Sequence, residues 1–94
     1  MANRKNEVLH FTGNLNICQA EEMVDVFKKC REGNSAVTID LKDAEDIDFA
    51  VIQLLYSFKK TLNEEKRKVI IKDVCPKIEA RIQLCDFQDL LSGS

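Results

Sequence analysis

A chain of 94 residues with 45% hydrophobic content has the length of one domain and can bury a single core without disulfide or metal staples. Fourteen basic and sixteen acidic side chains leave a net charge of -2, which argues against the broad positive field that draws a protein to nucleic acid. No stretch approaches the roughly 20 apolar residues of a membrane span, and no signal-peptide core follows the polar opening from Met1 to Asn6, so a cytoplasmic protein without direct membrane insertion is expected.

In chain order, Val8-Leu9-His10-Phe11-Thr12 has the β-branched and apolar character of a strand. Gly13-Asn14 turns it toward the alternating segment Leu15-Asn16-Ile17, predicting a two-stranded start. From Ala20, the positions Ala20, Met23, Val24, Phe27 and Cys30 recur at three- and four-residue steps. Glu21 and Glu22 fall in the first turn of the expected helix and Lys28, Lys29 and Arg31 in its last, before Gly33-Asn34 ends it.

Ala36-Val37-Thr38-Ile39-Asp40-Leu41 reads as a buried strand, followed by an acidic loop. Val51, Leu54, Leu55, Phe58 and Leu62 then mark the apolar stripe of a second helix, with Asp48 placed to cap it. Lys66-Arg67-Lys68 reads as a solvated turn leading into the strand Val69-Ile70-Ile71. Pro76 opens a third helix that sets Ile78, Ile82 and Cys85 on one face. The order β-β-α-β-α-β-α predicts one α/β domain across residues 1–94, folded from about residue 7 to 90 with frayed ends. Its sheet is expected to be mixed, with the helices packed mainly on one face.

Little in the chain speaks for catalysis. The three glycines are isolated, so there is no phosphate loop, and His10 stands among apolar strand residues. Cys18, Cys30, Cys75 and Cys85 lack metal-binding spacing and read as reduced, mostly buried thiols; an enzyme or redox sensor would need one of them exposed with a lowered pKa. Asp40, Asp43, Glu45, Asp46 and Asp48 fall within nine residues, opposed only by Lys42. Such a cluster suits a hard cation such as magnesium, but a solvated loop with a helix cap accounts for it equally in composition and better in position. No cofactor or metal is expected.

At 100° per residue, the stripe that faces the core leaves Phe49, Gln53, Tyr56 and Lys60 on the opposite side of the second helix, with Ile52 beside them. Phe49 can fold back under the preceding loop, or it can stand outward with Tyr56 as an aromatic anchor for a protein partner. In the second case Asp46 and Asp48 form a charged rim, and Ala50 completes the surface at the helix start.

Ile39-Asp40-Leu41, the acidic stretch, and Ile47-Asp48 before Gln53-Leu54-Leu55 together resemble the STAS domain, found in anti-sigma factor antagonists and the cytoplasmic tails of sulfate transporters. Thr12-Gly13-Asn14-Leu15-Asn16-Ile17 is similar to the family's first hairpin, and Val74-Cys75-Pro76-Lys77-Ile78 to the approach to its third helix. The resemblance implies a bacterial, non-catalytic protein-binding module of the anti-sigma antagonist type. In that family a Ser or Thr directly after the Asp at this helix start is often phosphorylated to switch binding off. Here Phe49 and Ala50 occupy those positions, so the usual hydroxyl is missing. The expected partner is a kinase-like anti-sigma regulator; the alternative is the ATPase of a lipid ABC transporter, with this chain as its small STAS subunit.

Overall fold

The computed structural model describes residues 6–91; the expected frayed ends lie outside them. Five strands and three helices follow in the order β1 (Asn6–His10), β2 (Gly13–Leu15), α1 (Ile17–Arg31), β3 (Ala36–Asp40), β4 (Ala44–Ile47), α2 (Phe49–Glu64), β5 (Val69–Lys72) and α3 (Pro76–Leu84). A 3-10 turn over Gln88–Leu91 completes the described chain. The domain is α/β, as its periodicities predict, with one more strand than expected.

That strand is β4, which lies within the stretch read as an acidic loop. Its ends, Ala44 and Ile47, are buried while Glu45 is exposed and Asp46 half-buried, so two carboxylates separate the core positions and hide the strand's pattern. A second expectation also fails: β1 and β2 do not pair as a hairpin. β1 pairs with β3 and β3 with β5, while β2 pairs with β4 in a separate two-stranded sheet, and every one of these pairings is parallel rather than mixed. The two chain tracks bend together. Phe11 N donates to Asp40 O at 3.3 Å and Gly13 N to Asp43 O at 3.0 Å, joining them through the bend between the sheets. Gly13 has φ +77°, a left-handed conformation that a Cβ disfavours even though open space surrounds the position.

Leu9, Ile39 and Ile71 form one buried row across the three-stranded sheet, with Val37 and Val69 beside it. On the opposite face the edge residues Val8 and Ile70 flank Thr38 and are exposed, so the helices cover one side. Met23, Phe27 and Cys30 from α1 meet Val51, Leu55, Phe58 and Leu62 from α2 in a common core. At its centre the rings of Phe27 and Phe58 stack 4.1 Å apart.

α1 begins nearly a turn before the predicted start. Asn16 and Gln19 make a capping box: the Asn16 side chain accepts from Cys18 N at 2.9 Å, and the Gln19 side chain accepts from Asn16 N at 3.3 Å. Glu21 and Glu22 consequently lie beyond the first turn. Arg67 is a further correction. Instead of lying in a solvated turn it is buried, donating to Ser35 O and Cys30 O at 2.9 Å each and to Arg31 O at 3.5 Å. It adds a charged donor to carbonyls at and just beyond the end of α1, where Cys30 O also accepts from Gly33 N at 3.2 Å and a cation meets the negative end of the helix dipole.

Candidate functional site

Asp48 stands in extended conformation at the N-cap of α2, but its carboxylate makes no capping hydrogen bond, contrary to the sequence reading. Its backbone is held from both sides. Asp48 N donates to Leu15 O at 2.9 Å, and Asp48 O accepts from Ile52 N at 3.0 Å, so β2 fixes where α2 starts. The free, exposed carboxylate remains at the positive end of the helix.

Phe49 follows as the first helical residue and is 52% exposed. It does not fold under the preceding loop. Its ring lies 6.0 Å from that of Phe87, which arrives after α3, and Tyr56 lies 5.0 Å from the same ring. Gln53 and Lys60 are exposed beside them, Ala50 and Tyr56 are half-buried, and Ile52 is buried at 1% exposure. Ile52 therefore leaves the outward strip, and Tyr56 belongs to it only in part. The reason is a second surface packed on α2: Ile52, Tyr56 and Lys59 lie in a ladder on the side that the C-terminal segment covers, with Phe49 at its open end. Leu90 is fully buried, and Lys59, itself only 5% exposed, donates through Nζ to Leu90 O at 3.2 Å.

Asp46 is drawn away from the rim expected of it. The Ile47 N–H donates to its Oδ1 at 2.8 Å, and both carboxylate oxygens receive the Arg81 guanidinium, with Nη2 3.2 Å from Oδ2; Lys77 Nζ lies 3.4 Å from Oδ2. The Ile47 hydrogen bond and then the Arg81 contact hold this carboxyl below its ordinary range. Asp46 thus clasps β4 to α3. Lys77 and Arg81, four residues apart on one helix, carried a visible spacing, but only the fold supplies the carboxylate opposite.

The remaining carboxylates have separate surroundings. Asp43 lies 3.0 Å from His10 Nε2, and Asp40 Oδ1 accepts from Lys42 N at 2.9 Å. Among the described residues no cluster of His, Cys, Asp and Glu is arranged to hold a metal ion. The thiols differ from one another: Cys18 is exposed, Cys75 and Cys85 are half-buried, and Cys30 is buried. Burial, assisted by the Glu7 carboxylate and partly opposed by Arg67, pushes the Cys30 thiol up to about 11, which suppresses the nucleophilic thiolate.

What the N-terminal end of α2 offers is the exposed ring of Phe49 against the partly buried Phe87, flanked by Gln53 and the Asp48 carboxylate, with Lys60 on the same face about three turns farther along. Among the described residues it brings together no nucleophile–base pair and no phosphate cradle. No helix among the described residues is long and apolar enough to cross a membrane. A family model described as the STAS domain matches residues 2–93. Comparison with curated proteins finds no matching relative.

Proposed function

Because the chain belongs to the STAS domain family, we propose that it is a non-catalytic binding module of the anti-sigma antagonist type, working in the bacterial cytoplasm on a kinase-like regulator. The partner docks at the N-terminal end of α2, and Phe49 is its central anchor. The observation that carries this reading is the 52% exposure of a large aromatic at the first position of α2, where the family resemblance places a phosphorylatable hydroxyl. Phe87 backs the ring, restricting its motion and lowering the entropy lost on binding. Asp48, Gln53, Tyr56 and Lys60 complete the contact, with Ala50 at its edge. Asp46 positions the surface through α3 instead of meeting the partner.

With Phe49 and Ala50 at the positions of the hydroxyl, binding is constitutive with respect to phosphorylation there. Ser57 is exposed farther down α2 and Thr38 is buried in β3, so neither takes over that position.

The test is affinity capture from native lysate with the wild-type chain beside Phe49→Ser, followed by calorimetry on the recovered partner. Circular dichroism first establishes that the variant is folded. Loss of about 2 kcal/mol of binding, roughly 30-fold in Kd, is expected for a central anchor. Equal affinity of the two proteins would remove Phe49 from the interface. A soluble kinase-fold partner supports the regulator reading, whereas a membrane transporter's ATPase would assign the same face to the alternative assembly.

A further inference from the structure

A second surface lies about 120° around α2 from the exposed strip of Phe49, Gln53 and Lys60, where α1 runs alongside. Here a groove of about 190 Å³ opens between the two helices. Its floor is the stacked pair Phe27 and Phe58, both buried, and its walls are Val24 and Leu54, both half-buried. Both wall residues fit the apolar stripes of their helices, yet the packing of α1 on α2 leaves them open to solvent.

The charges around the groove are of one sign. Lys28 and Arg31 line the α1 side, and α2 contributes the hydroxyl residues Ser57 and Thr61; no carboxylate lines it. Lys28 has no ion pair among the described residues, and Arg31 has only a loose one, 3.8 Å to Glu65, with both side chains substantially exposed. This positive edge stands on a chain whose net charge is -2. An apolar floor is of no use to a bare phosphate, and a groove between two helices accepts a third through apolar side chains at three- and four-residue steps.

We propose that the α1–α2 groove is a second docking site, which takes an acidic amphipathic helix of a partner protein. One large apolar side chain of that helix enters between Val24 and Leu54 and rests on the Phe27–Phe58 stack. Its carboxylates meet Lys28 and Arg31, which set orientation and encounter rate more than affinity. The site does not depend on Phe49, so one partner can hold both faces or two partners can bind together.

The experiment uses the full chain labelled with nitrogen-15 and two synthetic peptides of about 18 residues, long enough to form helix on a surface. Both carry the same leucine stripe, one with glutamates and the other with lysines on the polar face. The glutamate peptide is expected to give saturable amide shifts centred on Val24, Leu54, Ser57 and Thr61, and to bind at least about tenfold tighter than the lysine peptide. Leu54→Gln should abolish the shifts. Should that variant fail to fold, the double change Lys28→Glu and Arg31→Glu decides the matter, because it must reverse the preference between the peptides. No saturable binding, equal binding of the two peptides, or shifts confined to the surroundings of Phe49 would overturn the proposal. Shifts of the groove residues on raising the concentration of the chain alone would give the groove to a second copy and overturn it too.

Discussion

Arg67 shows how much one side chain can hold when its charge is spent on backbone carbonyls. Its guanidinium joins the end of α1 to the approach to β3, while its own N–H donates to Leu62 O at 2.9 Å, so the ends of both long helices meet at this residue. Arg67→Met keeps much of the volume but removes the charged donors from the Cys30 and Ser35 carbonyls, of which Cys30 O keeps its bond from Gly33 N at 3.2 Å. A loss of about 3 kcal/mol is expected in urea unfolding, with little change in the slope. Arg67→Lys should recover only part of it, because an ammonium cannot span the same fork. The sequence placed this residue between two lysines, both exposed, and nothing in the run distinguishes the buried cation from its neighbours. Phe49 was more legible: its place opposite the apolar stripe followed from helix geometry, but its partner Phe87 comes from a segment with no periodicity to read.

Two elements owe their position to polar contacts at their ends. α1 starts at its Asn16–Gln19 box, and Asn16→Ala should cost about 1 kcal/mol, read as a lowered midpoint of thermal unfolding. The Asn-x-x-Gln spacing was present in the sequence; the apolar period, which becomes regular only at Ala20, obscured it. α3 is tied to β4 through Asp46, and here pH is the probe. The Asp46 carboxyl is held below its ordinary range in the folded chain, so the unfolded chain binds the proton more readily. Its contribution is therefore fully present above the unfolded-state pKa and is lost as pH falls through the lower folded-state value. Asp46→Asn should flatten that part of the acid limb of stability against pH, with wild type and variant converging at low pH. An unchanged acid limb would show that the clasp contributes nothing. β4 itself was missed because this carboxylate and that of Glu45 occupy its middle.

At the scale of the molecule, α2 meets different neighbours around its circumference: the core, the α1 groove, the open Phe49 edge and the C-terminal segment. The last of these was invisible as an element, yet it brings Leu90 to complete burial and places Phe87 against two aromatic rings. Removing everything after Cys85 should cost about 4 kcal/mol or more, since a fully buried leucine and a half-buried phenylalanine are lost together. Equilibrium unfolding of the shortened chain measures this, and binding of an apolar dye would report the uncovered α2 ladder. The alternation of strands and helices was legible because buried β-branched runs and helical stripes are both present. Which strands pair was not, since a turn glycine fits a hairpin and a bend equally well.

The parallel ribbons also impose an order in time. Asn6 pairs with Ala36, Gly13 with Ala44 and Val37 with Val69, so each pairing closes a loop of thirty residues or more and no hairpin among the described residues is available to nucleate the sheet. The first strand leaves the ribosome long before its neighbour and must stay unpaired until α1 and β3 have followed. Loop closure on this scale places the chain among slower-folding small domains, in which helices form locally and the sheet assembles by their docking.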